Sequence, residues 1–314
     1  MILLFFLMRD GRYKKGVFMS IKKEILLLGY GEMGHAIQTL LEPFHEVSIW
    51  NRSTVDGKDF LPLESLVPKA EIIIFCLPVN AHEDLVKTLL PLMDKSSLCI
   101  SIAKGLNESA LTAAEIFKKS LENFCLIYGP MIAEELSAGK VGFAEFGCSH
   151  PTHEVTISEL YNPTALHLKT TDDITGISWS VILKNVYALA FGMIDELEMG
   201  KNVLGYLTVM ALDELDTIAE SLGGKEGSSY GLAGLGDLIT TGSSEDSRHH
   251  TLGRRIARGD FSDMRAEGTH TLLMVEKFKR FEWEEYPLFI TIKKIASQEI
   301  EAKSGLESLF KITP

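Results

Sequence analysis

Lys184 and Asn185 are the only strongly polar pair in the otherwise apolar stretch Trp179-Ser-Val-Ile-Leu-Lys184-Asn185-Val-Tyr-Ala-Leu-Ala-Phe-Gly192. An amine on such a surface loses water, which disfavours its charged form and moves its pKa toward neutrality, the condition for a proton donor or acceptor. A lysine snorkelling from the helix edge is the alternative, although Asn185 beside it would then still need a partner. Lys104, in Ala103-Lys104-Gly105-Leu106, follows an apolar run and would stand at the carboxyl end of a strand, where open α/β sheets place their ligands. There it can meet a phosphate or polarise a carbonyl. A third stretch, Gly231-Leu-Ala-Gly234-Leu-Gly236-Asp237-Leu-Ile-Thr240-Thr241, is followed by Ser247-Arg248-His249. Its glycines suit a loop pressed against a helix, Asp237 could hold Lys184, and Arg248 near a helix start could grip an anion bidentately.

These groups need a scaffold, and the strongest sign of one is Glu24-Ile-Leu-Leu-Leu-Gly29-Tyr30-Gly31-Glu32-Met33-Gly34, followed by His35 to Leu41. An apolar run feeding glycines at G-x-G-x-x-G spacing reads as a buried parallel strand, a tight turn and a helix N-terminus. Gly29 permits the turn, Gly31 lets backbone approach a pyrophosphate, and Gly34 lets the helix lie close on its strand. A glycine-rich turn also serves purely structural strand-to-helix connections, so the motif needs its context. The next strand, Glu46 to Trp50, ends about twenty residues after the turn, where such a unit faces the adenosine ribose. There the chain reads Trp50-Asn51-Arg52-Ser53, with an arginine and no acid, which favours NADPH or tolerates it. A solvated surface arginine is the other reading of Arg52.

At 314 residues the chain is long enough for two domains, and 46% apolar with 24% charged residues describes an ordinary globular protein. The formal charge of −12 argues against nucleic acid and membrane as partners, and makes each local cation informative. Cys76, Cys99, Cys125 and Cys148 lack metal-ligand spacing and read as small core residues in a reducing cytoplasm, with no metal site. The apolar Met1 to Leu7 is too short to span a bilayer, so residues 1–20 read as an N-terminal extension outside the fold, with Met19 as an alternative start.

Strands are expected at Glu71–Leu77, Ser97–Ala103 and Phe124–Tyr128, and helices at Asn80–Leu90 and Asn107–Ser120. The span 51–70, with Pro62 and Pro68, leaves little room for a crossover helix, and Val141–Cys148 and Ala165–Leu168 would extend the sheet. This alternation predicts an α/β fold, a doubly wound, mostly parallel Rossmann sheet, over residues 21–173. From Ile174 the apolar spacing turns helical: Trp179–Ile194, Val203–Leu222, Ser247–Arg258, His270–Phe281 and Pro287–Ala302. Residues 174–314 are therefore expected to form an all-α substrate and catalytic domain.

With these motifs in place, the chain resembles the bacterial NAD(P)-dependent glycerol-3-phosphate dehydrogenases. The resemblance runs from Gly29 to about Gly268 and is carried by four motifs in order. They are Lys104-Gly105; Gly129-Pro130-Met131-Ile132-Ala133-Glu134-Glu135; Leu183-Lys184-Asn185; and Gly234 to Leu238 with Thr241, Ser247 and Arg248. It implies reversible reduction of dihydroxyacetone phosphate to sn-glycerol 3-phosphate with NADH or NADPH, for phospholipid synthesis. Lys184 would be the general acid and base on the C2 oxygen, oriented by Asp237 and Thr241, and Lys104 would meet both substrate and nicotinamide. Arg248 would bind the substrate phosphate and touch the cofactor, with Asn185, Ser247 and His249 beside the substrate. Gly129, Met131 and Ala133 would line the site. Gly29, Gly31, Glu32, Met33, Gly34, Arg52 and Glu267 would contact the cofactor.

The chain departs from the family pattern at Met131, where members carry serine, at His249, where they carry asparagine, near Met33, where they carry an aromatic, and in a shorter span after the second strand. Met131 removes a hydroxyl from the substrate side, and His249 is expected to make a phosphate neighbour titratable. A homodimer is allowed for. The rival readings are a related 2-ketoacid reductase, or another small phosphorylated or carboxylated ketone as substrate, and a catalytically silent NADPH-binding protein. The last would have no reason to keep Lys104, Lys184, Asp237 and Arg248 together.

Overall fold

The computed structural model describes residues 3–9, 12–18, 22–55, 57–244 and 247–310. Leu3–Arg9 (β1) and Arg12–Phe18 (β2) pair antiparallel as a two-stranded sheet of their own. The main sheet has seven strands in the order β4-β3-β5-β6-β7-β8-β9. They are β3 (Glu24–Leu28), β4 (Glu46–Trp50), β5 (Ile72–Phe75), β6 (Leu98–Ser101), β7 (Phe124–Tyr128), β8 (Gly142–Cys148) and β9 (Leu166–Thr170). All neighbours run parallel except β7 and β8. Between them run α1 (Glu32–Leu41), α2 (Leu63–Leu66), α3 (His82–Leu89), α4 (Ala113–Ser120), α5 (Ala133–Ser137) and α6 (Thr152–Tyr161).

The strands read as unbroken apolar runs because both faces of the sheet are covered. Ile25 and Leu27 point into one core with Ala36, Ile37 and Leu40 of α1, whereas Leu26 and Leu28 point into another with Val86, Phe117 and Val186. That second core continues without interruption into the helical half, so sheet and helices share one apolar interior. From Ile174 on, strands disappear among the described residues. The helices are α7 (Ile174–Glu196), α8 (Lys201–Ser221), α9 (Asp237–Ser243), α10 (Arg248–Ala257), α11 (Glu267–Phe278), α12 (Pro287–Ala296) and α13 (Ala302–Ser308).

The axis of the helical half is α7. Asp173 caps its start by accepting the Gly176 N–H at 2.8 Å, and Gly176 through Ile194 are all buried. It is long and apolar enough to cross a membrane by length and composition, yet its apolar window is buried inside the protein, and a helix apolar all round must be surrounded. Its crossing with α10 is set by a glycine pair. A Cβ on Gly192 would lie 2.0 Å from the His250 carbonyl oxygen, and one on Gly253 would lie 2.1 Å from that of Leu189. This contact brings the start of α10 down beside the middle of α7. The two halves are also tied by Arg280, which donates to Glu115 at 2.7 Å and stacks 4.9 Å from the Trp179 ring.

Several sequence-based boundaries shift for local reasons. The helix expected from Asn107 begins at Ala113. Asn107 instead accepts the N–H groups of Ser109 and Leu111 in a turn, and the capping box is built by Thr112 and Glu115. Helix α11 starts at Glu267 rather than His270, and the span expected as Pro287–Ala302 ends at Ala296, beyond which Gln298 is left-handed at φ 62°. Helix α6 has no counterpart in the sequence reading. The cysteine reading also needs correcting: Cys125 and Cys148 face each other across the antiparallel β7/β8 pair and form a disulfide, leaving Cys76 and Cys99 free. Their separation of 23 residues gave no sign of it.

Candidate active site

Strand order reverses at β3, with β4 on one side and β5 on the other, and the carboxyl ends of β3, β5, β6 and β7 open toward the helical half. Lys104 follows β6, and Gly129 follows β7. Lys184 comes from the middle of α7, and Asp237 is the first residue of α9, directly after a π-helical turn over Leu232–Gly236. These chain-distant groups meet around one carboxylate. Asp237 Oδ2 accepts from Lys104 Nζ at 2.7 Å and from Lys184 Nζ at 3.0 Å. Lys184 also donates to the Thr241 hydroxyl, one turn along α9 from Asp237, and Lys104 donates to the Gly129 carbonyl at 3.1 Å. An ammonium has three donors, so each lysine keeps one N–H for the cavity that both line.

The electrostatics follow from burial. Lys184 is only 4% exposed, and loss of water lowers its pKa from the usual 10.5 to about 8; Asp237 opposes the shift and Lys104 adds to it. Burial by itself would raise the Asp237 carboxyl, but the two ammonium groups outweigh it and hold the group below the ordinary carboxylate range. Asp237 therefore stays ionised while the amine it touches sits within reach of physiological pH.

A cavity of about 210 Å³ lies beside this cluster, lined also by Met131, Asn185, Ser247, Arg248, His249 and Glu267. Asn185 donates to Glu267 at 2.9 Å, which satisfies the amide next to the lysine. Ser247 caps α10 by accepting the His250 N–H, which leaves Arg248 and His249 in the first turn. Arg248 reaches across to Glu32 at 3.3 Å, so it bridges the cavity and the glycine turn. His249 corrects an expectation. Its Nε2 accepts the Gly268 N–H at 3.1 Å, and burial, the Lys184 ammonium and lesser charges push its pKa down to about 3. It is a neutral imidazole at working pH, with its proton on Nδ1, and not the titratable neighbour the sequence suggested.

The glycine turn fits a dinucleotide. Gly29 takes φ +98°, and a Cβ on Gly34 would lie 2.3 Å from the Gly29 carbonyl oxygen, whereas one on Gly31 would meet nothing within 4 Å. The open side at Gly31 is the N-terminus of α1, which has no side-chain cap, so its first N–H groups are free for pyrophosphate oxygens.

The expected residues thus divide in space. Lys104, Met131, Lys184, Asn185, Asp237, Thr241, Ser247, Arg248, His249 and Glu267 come together around the cavity, and Gly129 reaches it through its carbonyl. Gly29, Gly31, Glu32, Met33 and Gly34 form the turn and the start of α1, Ala133 begins α5, and Arg52 stands exposed beyond β4; none of these lines the cavity. Some contributors had no expected role. Glu134, so far only part of its motif, lines the cavity together with Ile132, Thr240 and Ser244. Glu145, a buried acid in the apolar strand β8, accepts the Ala233 N–H at 3.2 Å and so anchors the turn that delivers Asp237. A lone acid in an apolar strand was the available signal.

Both halves of the chain match models of one enzyme. A model of the NAD-dependent glycerol-3-phosphate dehydrogenase N-terminus matches residues 59–153, and one of the C-terminus of the same enzyme matches residues 173–307. A glycerol-3-phosphate dehydrogenase [NAD(P)+] of Clostridium botulinum is 27% identical over 318 residues, covering 91% of this chain and 96% of its own. The crystal structure of glycerol-3-phosphate dehydrogenase from Coxiella burnetii superposes with a TM-score of 0.80 at 21% identity, over 92% of this chain and 99% of that one. A ketopantoate reductase from Ralstonia eutropha shares the fold more loosely, with a TM-score of 0.55 at 14% identity over 88% of this chain and 99% of its own. With a Rossmann sheet, a helical C-terminal half and both halves of the enzyme's pattern present in order, this chain belongs to the NAD-dependent glycerol-3-phosphate dehydrogenase family.

Proposed function

We propose that the protein reversibly reduces dihydroxyacetone phosphate to sn-glycerol 3-phosphate with NADH or NADPH, in the cytoplasm, and so supplies phospholipid synthesis. The observation that carries this reading is the buried Lys104–Asp237–Lys184 cluster at the carboxyl edge of the sheet, in a chain of this family. The division of labour falls at residue 174: residues 21–173 hold the dinucleotide, and residues 174–314 supply the proton and the substrate grip.

When bound, the reduced nicotinamide supplies a hydride to the carbonyl carbon. Negative charge then develops on the C2 oxygen, and Lys184 releases a proton to it: an N–H bond breaks, an O–H bond forms, and a neutral amine remains until solvent reprotonates it. A pKa of about 8 suits that exchange in both directions. Asp237 and Thr241 hold the Lys184 amine by two of its donors, so the third has a fixed aim. Lys104 directs its remaining N–H at the same oxygen and keeps the site positive. Arg248, Ser247 and the Nδ1–H of His249 receive the phosphate away from the reacting carbon, so its binding energy positions that carbon. Met131 presents an apolar wall where a hydroxyl would otherwise stand.

The assay is loss of reduced-cofactor absorbance with dihydroxyacetone phosphate, run beside 2-ketoacids. Turnover with the phosphorylated ketone is the expected result. Turnover confined to 2-ketoacids, or tight NADPH binding with no turnover on any ketone, would overturn the reading.

A further inference from the structure

Beyond β4 the chain turns back in a tight hairpin. Lys58 N–H donates to the Val55 carbonyl at 2.9 Å, and Val55 N–H returns the bond at 3.3 Å. The hairpin carries the Lys58 ammonium over Tyr30, the residue between the first two glycines of the turn, 5.1 Å from its ring centroid and 5.8 Å from that of Phe60. Tyr30 is itself fixed on every side. Its ring lies 3.7 Å from that of His35 and edge-on to Phe60 at 5.6 Å, its hydroxyl donates to Gln38 at 2.8 Å, and its N–H donates to the Asn51 side chain at 3.2 Å. Arg52 follows Asn51 directly. Among the described residues neither Arg52 nor Lys58 is paired with a carboxylate. Asp56 and Asp59 flank Lys58 in sequence, so residues 51–60 carry no net charge in a chain of net charge −12.

We propose that Lys58 joins Arg52 in a two-cation grip on the 2′-phosphate of NADPH, with Tyr30 and Phe60 as the platform that pre-positions the ammonium. The proposal rests on the dinucleotide reading of the glycine turn. The end of the second strand of such a unit faces the adenosine ribose, where a free 2′-hydroxyl calls for an acid and a 2′-phosphate for cations. Arg52 can meet the phosphate with its planar fork, and Lys58 adds a point charge. An ammonium already resting on two aromatic rings loses less freedom when the phosphate arrives.

The test is fluorescence titration of the full-length protein with NADPH, NADH and adenosine 2′,5′-bisphosphate, for the unaltered protein, Lys58→Met and Arg52→Met. Lys58→Met should weaken NADPH and the bisphosphate about tenfold, the weight of one charge-assisted contact, and NADH less than about twofold. The slope of NADPH affinity against salt should also flatten in that variant. Retained NADH binding shows that the variant is folded, and Lys58→Gln should repeat the pattern. Equal weakening of NADH and NADPH, no change in either, or an unaltered protein that binds NADH more tightly would each overturn the grip. The binding pattern without turnover on dihydroxyacetone phosphate would uphold the grip and remove the proposed reaction.

Discussion

Replacing Asp237 by asparagine separates the electrostatic role of this carboxylate from its shape. In the native site Asp237 lies 3.0 Å from Lys184 and is the main influence raising that lysine's pKa against burial and against Lys104. Two unit charges at that distance attract by about 5 kcal/mol at an effective dielectric of about 20. The asparagine keeps an oxygen that accepts from the ammonium and recovers part of this, so a conservative share is about 1.4 kcal/mol, one pKa unit. The sign is fixed by the chemistry. Reduction needs Lys184 protonated, so kcat/KM for reduction should fall as pH rises through about 8 in the native protein. In Asp237→Asn the same limb should move down by about one unit or more, because the ammonium has lost its counter-charge and kept its like-charged neighbour. Oxidation of glycerol 3-phosphate should show the mirror image. The measurement is kcat/KM against pH in both directions, with NADPH titration to confirm an intact fold. A limb that stays at about 8, or moves up, would refute the assignment of Lys184 as the acid and base held by Asp237.

Further predictions follow from the same geometry. Lys184→Met should abolish turnover, spare cofactor binding and stabilise the fold near pH 7. Burial lowers the lysine pKa from 10.5 to about 8, so its charged form penalises the folded state by up to about 3 kcal/mol below pH 8, relieved as pH rises toward 10.5; denaturant melts at two pH values measure this. Arg248→Ala should raise KM for dihydroxyacetone phosphate about tenfold with a much smaller effect on kcat, as loss of a phosphate grip requires, and steady-state kinetics check the split. Gly34→Ala should remove dinucleotide binding and destabilise the fold by about 2 kcal/mol, because the new Cβ would stand 2.3 Å from the Gly29 carbonyl oxygen; calorimetry with and without NADPH reads both. Thiol titration of the denatured, unreduced protein should count two free cysteines, Cys76 and Cys99.

Local patterns made much of the scaffold legible. The glycine turn was readable because its strand is buried on both faces and its glycines answer backbone clashes, so the chemistry of the turn is written in consecutive residues. The same holds for Phe124–Tyr128 as a strand, for the change to helices at Ile174, and for the desolvation of Lys184, which follows from the apolar residues on either side of it. Where reading failed, a competing local bond or a distant partner decided the outcome. The Asn107 side chain spends itself on a turn rather than a helix cap, and Cys125 meets Cys148 only because β8 runs against β7.

By itself the sequence determined which residues are unusual for their surroundings: a lysine in a greasy helix, a lysine after a strand, an acid in a glycine-rich stretch that reads as a loop. Only the tertiary structure decided that these meet at one carboxylate, that His249 is held neutral, and that Lys58 returns over Tyr30. Propensity and burial act within a few residues of the chain, so they are written locally. Charge coupling and hydrogen-bond geometry act across a few ångströms of space between groups as many as 216 residues apart, and no local pattern carries that distance.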